Sequence, residues 1–146
     1  MIQSEENVPP VPQGKYIPAS RVGDLIFTSG MTPRHKGVLI QTGKVSTEEP
    51  LHIYRKAVRL AVSNALNAIN NILNEDEKLN QIVALNVYVN AQENFQAHSG
   101  LADFASEYLY EQLGQNGIGS RAAIGVASLP GNAPIEIQIT AVCTKY

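Results

Sequence analysis

Cysteine is almost missing from this chain: Cys143 stands alone among 146 residues. An intrachain disulfide and a thiolate metal site are thereby excluded. A lone thiol in a strand near a terminus reads as inert core. Charge is scarce too. Asp, Glu, Lys and Arg together make up 16% of the residues, with a formal net charge of −2. So little charge on a small chain suggests that some surface is buried between subunits. The 11 basic residues are scattered. A nucleic-acid partner would need Lys and Arg clustered for phosphate, so none is expected. Arg34, His35 and Lys36 adjoin in "SGMTPRHKG", but three residues do not make such a patch. His35, His52 and His98 lack metal-ligand spacing. Long apolar runs are also absent. None approaches the roughly 18 residues of a membrane span, so no membrane partner is expected. The opening "MIQSEENVPP" has neither a basic start nor an apolar stretch. A cytoplasmic protein is the expectation.

Hydrophobic residues, by contrast, reach 44%, enough for one globular domain over residues 1–146. The polar, Pro-rich residues 1–12 read as a loose N-terminal arm. "LIFTSG" follows a Gly23-Asp24 turn and gives a short buried strand at Leu25 to Thr28. "GVLIQTGKV" has a strand-like centre between Gly37 and Gly43. The period then changes. Tyr54, Val58, Ala61, Ala65, Ala68 and Ile72 recur at steps of three and four, one face of a long helix. Ser46 with Glu49 fits a capping box before it, and Pro50 suits the first turn. "NEDEK" ends the helix in solvent. Gln81 to Val89 is apolar on both faces and reads as a central strand. "GLADFASEYLYEQLG" predicts a second helix with Leu101, Phe104, Ala105 and Tyr108 on one face and Gly114 as C-cap. Two strands follow, joined through "PGNAP". In the last, Ile135, Ile137 and Ile139 face one way; Glu136, Gln138 and Thr140 face the other.

The predicted order is β-β-α-β-α-β-β, an α+β fold with two helices on one face of a mixed sheet. Nothing remains to cover the second face except another subunit. A homo-oligomer follows on that ground alone. The small residues Ala122, Ala123, Gly125 and Ala127 around Arg121 suggest that something approaches this strand closely. By residue type alone, Arg121 fits either an ion pair or a clamp for a carboxylate. Glu136 fits either a solvated strand-face glutamate or a group that places water.

"GKYIPASRVGDLIFTSGMTP", the long helix and "SRAAIGVASLPGNAPIEIQITAV" together resemble the RidA/YjgF-like reactive intermediate deaminase family over about residues 12 to 144. The resemblance implies a chorismate-mutase-like fold, a homotrimer with clefts between subunits, and no cofactor. It implies hydrolytic deamination of imine and enamine acids such as 2-aminoacrylate to a 2-keto acid and ammonia. Arg121 would hold the substrate carboxylate and Glu136 would place the water. Tyr16, Ser29 and Gly30 would line the cleft. Two departures stand out. Ala123 replaces a family cysteine two residues after the arginine. The asparagine at the start of the second helix is missing, with Ser99 the nearest candidate. Both favour an alternative, a regulatory trimer that binds small carboxylates without turning them over. Some members carry a ribonuclease or translation-inhibitor label, which the acidic balance disfavours. The physiological substrate, the organism and the chain that supplies each cleft residue are not legible in the sequence.

Overall fold

A computed structural model describes residues 9–146, so most of the proposed loose arm lies outside the described residues. Strands β1 (Ala19–Val22) and β2 (Leu25–Thr28) form a hairpin whose turn places Gly23 at φ +59°, a conformation glycine adopts freely. A second small hairpin follows, β3 (Arg34–His35) with β4 (Val38–Leu39). Then come α1 (Arg55–Ile72), β5 (Glu77–Asn90), α2 (His98–Leu113), β6 (Ser120–Val126) and β7 (Ile135–Lys145). The main sheet runs β1-β2-β7-β5-β6, antiparallel except for the β5–β6 pair. That parallel pair needs a crossover, which α2 supplies. Both helices pack on one sheet face, as the sequence predicts.

The core lies between them. Ile135, Ile137, Ile139, Ala141 and Cys143 alternate inward along β7 and are buried. Each large side chain so buried contributes roughly 1.5–3 kcal/mol. They meet Val58, Ala61, Ala65 and Ala68 of α1 and Leu101, Ala105 and Tyr108 of α2 in one cluster. Burial raises the thiol pKa of Cys143, in keeping with its reading as inert core. The other sheet face is uncovered in the single chain. Leu25, Phe27 and Ile124 are exposed on it.

Three local expectations are corrected. The capping box does not form. The Glu48 N–H donates to the Ser46 hydroxyl at 3.0 Å, while the Ser46 N–H donates to the Tyr54 hydroxyl at 2.8 Å. Pro50 disfavours helical backbone at Glu49, so the run opens as a 3-10 turn at Leu51–Tyr54 and α1 begins at Arg55. The "GVLIQTGKV" segment gives only the two residues of β4, paired with β3 rather than with the main sheet. Strand β1 was not foreseen; its Arg21 interrupts the apolar pattern.

That arginine has a partner. Arg21 donates from both terminal nitrogens to Glu77, at 2.6 and 2.5 Å, and the Asn74 N–H donates to the same carboxylate at 2.9 Å. Asp24, Glu77 and Cys143 have the spacing to hold a metal ion, but Arg21 already pairs with Glu77 and lies 3.8 Å from Asp24. The guanidinium, with the Asn74 amide, holds the Glu77 pKa at about 2. A lowered carboxylate pKa gives stability that is complete above the unfolded value and lost as pH falls through the folded one. We therefore expect denaturant midpoints to fall between about pH 5 and pH 2, and Glu77→Gln to flatten that decline. An equal acid decline in Glu77→Gln would contradict this.

Candidate active site

Arg121 lies on β6, at the edge of the sheet, in register with Leu85 of β5, which in turn faces Ile139 of β7. Paired residues share a face, so Arg121 projects on the helix side. There it meets α2. One terminal nitrogen donates to Asp103 Oδ1 at 2.8 Å and to the Ser106 hydroxyl at 3.0 Å. The other donates to the Ser99 hydroxyl at 2.8 Å and to the Ser99 carbonyl at 3.2 Å. The guanidinium is thus held in one orientation. Its side chain is 22% exposed, while that of Asp103 is 60% exposed. The ion-pair reading of Arg121 is realised within the chain, and Ser99 is an acceptor for the arginine. Asp103 and Ser106 were missed in the sequence. Their signal is the spacing Ser99, Asp103, Ser106, steps of four and three that set one helix face over β6.

The small residues of β6 have a specific neighbour. A Cβ on Gly125 would lie 2.8 Å from His98 Nε2. His98 opens α2 and packs edge-on against Phe95, ring centroids 5.0 Å apart. At Gly125 the close approach is therefore made by the chain's own helix. Ala123, one step away on the same face, packs against the core.

Glu136 projects on the opposite side. It stands in register with Tyr88, which pairs in turn with Ile124, all on the uncovered face. Within one chain, Arg121 and Glu136 are separated by the sheet. Arg121 pairs with Leu85 and Glu136 with Tyr88, and this odd offset of three residues along β5 puts the two on opposite faces. Glu136 is half-buried and has no hydrogen-bond partner among the described residues. Burial without compensation raises its pKa above the ordinary carboxylate range. The carboxylate lies against Gly30: a Cβ there would fall 2.0 Å from Glu136 Oε2 and 2.7 Å from its Cδ. A larger residue at this position would force the Glu136 side chain to move.

The remaining predicted residues fall on the Glu136 half. Ser29 donates its hydroxyl to the Ile17 carbonyl at 2.6 Å and its N–H to the Pro18 carbonyl at 2.8 Å, which pins the incoming chain beside Gly30. Tyr16 is 46% exposed, and its hydroxyl accepts the Gln13 N–H at 3.0 Å. Tyr16 and Gly30 both line one cavity. The predicted set therefore divides in two: Arg121 with Ser99 at one sheet edge, and Glu136, Gly30, Ser29 and Tyr16 toward the other.

Residues 6–143 match the family model described as endoribonuclease L-PSP. The chain belongs to this family, the YjgF/RidA-like family. Among curated proteins it is 26% identical to Protein TCP17 of Trypanosoma cruzi, over 87% of this chain and 80% of that protein. Among solved structures it is similar to Atu1372 of Agrobacterium tumefaciens, a protein of unknown function, with 30% identity and a TM-score of 0.83 over 89% of this chain and 82% of that one. The E. coli YjgF protein shares the fold at 22% identity and a TM-score of 0.65, over 94% of each chain. The YjgF-like architecture expected from the sequence is thus shown. No described helix is long and apolar enough to cross a membrane.

Proposed function

We propose that this YjgF/RidA-like protein hydrolyses 2-imino and enamine acids of the 2-aminoacrylate type to 2-keto acids and ammonia. The observation that carries the reading is the pairing of two unlike groups. Arg121 is oriented by three residues of α2, and Glu136 is a half-buried carboxylate without a partner. Because the sheet separates them in one chain, a site using both takes Arg121 from one subunit and Glu136 from another. The uncovered sheet face supplies the surface for such an assembly, a homotrimer with clefts between subunits.

Arg121 would bind the substrate carboxylate through two parallel N–H donors. Asp103 on one terminal nitrogen and the Ser99 hydroxyl on the other would yield their places when substrate enters. Glu136 accepts a proton from water as the water oxygen bonds to the imine carbon. The proton passes to the substrate nitrogen to give the carbinolamine; Glu136 then takes the hydroxyl proton and delivers it to the same nitrogen, and ammonia leaves as the carbon–oxygen double bond forms. Orientation carries most of such a reaction, because the imine carbon is already electrophilic. No cofactor is required by these steps.

The test is 2-iminopropanoate hydrolysis by the purified protein, followed as loss of the imine. Glu136 works as a base only when ionised, and its pKa is raised. Activity is therefore expected to fall with decreasing pH along a limb lying above the ordinary carboxylate range, and Glu136→Gln should remove that limb. If wild type and Arg121→Ala both match buffer, the enzyme reading fails. A second reading then remains, binding of small carboxylates without turnover. Ala123 and Ser99, where the chain departs from the family pattern, favour it. It predicts a rise in Tm with 2-keto acids that depends on Arg121. RNA cleavage is not favoured, because the basic residues are scattered. Salt-sensitive RNA binding near physiological ionic strength would overturn that preference.

A further inference from the structure

We propose a second site, for a small organic monocarboxylate, in the cavity between the β3–β4 hairpin, the chain before β1 and the middle of α1. This site is formed within one chain and is separate from Arg121. Its volume is about 130 Å³. An apolar cavity of about 150 Å³ admits benzene, so the occupant has about six heavy atoms.

Helix α1 presents Ser63, Asn64 and Asn67 to the cavity, where a helix buried in a core is normally apolar. Asn67 is only 6% exposed and lines the cavity, yet its side-chain carboxamide has no hydrogen-bond partner among the described residues. Its polar atoms open on the cavity, where a guest or water can satisfy them. Asn64, one turn earlier, donates to the Thr32 and Arg34 carbonyls at 3.1 and 2.9 Å. That fixes the hairpin to α1 and leaves Asn64 Oδ1 without a donor among the described residues.

The charge has one sign. Arg34 and Lys36 line the cavity, and no carboxylate does among the described lining residues. Arg34 Nη1 donates to the Gly37 carbonyl at 2.9 Å, while its buried Nε has no partner among the described residues. Lys36 is held at φ +52° with Gly37 at +83°. Turns of this kind favour Asn, Asp or Gly at the first position. A lysine there carries backbone strain, and such strain tends to mark ligand clamps. Met31 and Leu60 supply apolar wall. An anionic group beside the cations, with a short apolar body, matches that lining. Glu136 does not line the cavity, although Gly30 and Tyr16 do.

Titration of the full-length ¹⁵N-labelled protein with propanoate tests this, read at the side-chain amide signals of Asn67 and Asn64. A saturable shift is expected with propanoate and a much smaller one with propanamide, its neutral counterpart. Lys36→Gln, at an exposed position, should weaken binding several-fold with Tm unchanged. Arg121→Ala should leave the titration intact. The proposal is overturned by no saturable shift, by equal shifts with propanamide, or by loss of binding in Arg121→Ala. The last result would assign the anion to the other site. Failure here would leave the imine-hydrolysis reading untouched, because that assay reads Arg121 and Glu136.

Discussion

Arg121→Ala is expected to lower kcat/KM for 2-iminopropanoate by about 30- to 5,000-fold, with little change in Tm. The range follows from truncating one partner of a hydrogen-bonded charge pair, about 2–5 kcal/mol. The substrate carboxylate would lose both parallel donors at once. The effect on stability is small for a separate reason. Within the chain Arg121 pairs with Asp103, whose carboxylate is mostly exposed. Exposed pairs of this kind contribute about 0–1 kcal/mol. Arg121→Lys should recover little, since an ammonium cannot offer the planar two-donor fork. Steady-state kinetics beside thermal melts check the pair of expectations. A large fall in Tm with unchanged kcat/KM would mean that Arg121 only fastens α2 to β6.

Gly30→Ala is expected to approach the loss seen in Glu136→Gln, about 100- to 10,000-fold as for removal of a positioned acid–base group. The added methyl would overlap Oε2, Cδ and Cγ of Glu136, the last at 3.0 Å. A carboxylate tip can swing away cheaply, but displacement from Cγ onward moves the whole side chain out of place. The fold should survive, because the clash is with a side chain at the sheet surface and not with backbone. The two changes act on one group, so their effects should not add. In Glu136→Gln, adding Gly30→Ala should cost little further activity. Additive losses would show that Gly30 serves the reaction by another route, such as its own backbone.

The fold was largely legible because its strongest signals are periodic. The steps of three and four from Tyr54 to Ile72 predict α1's buried face, and the Ile135, Ile137, Ile139 alternation predicts β7's. What was not legible depends on partners distant in sequence. β1 is held by pairing to β2 and by Arg21 reaching Glu77, 56 residues away. β4 looked like a longer strand because its apolar run carries no mark of where pairing stops. At the site, the family resemblance pointed to Arg121 and Glu136, but not to the sheet between them. That separation comes from the register of β5 against β6 and β7, which no local pattern records. The small residues of β6 show the same limit. Gly125 did signal a close approach, yet only the packed helix shows that His98 makes it.

The claim that the site joins two chains is tested most directly by mixing two inactive variants. Arg121→Ala and Glu136→Gln subunits are unfolded together, refolded in equal amounts and assayed for 2-iminopropanoate hydrolysis. In a ring of like interfaces, about a quarter of the clefts would then carry both native residues. The account predicts recovery of about that fraction of wild-type activity, while each variant refolded alone stays inactive. A mixture that forms mixed oligomers yet remains as inactive as its parents would contradict it.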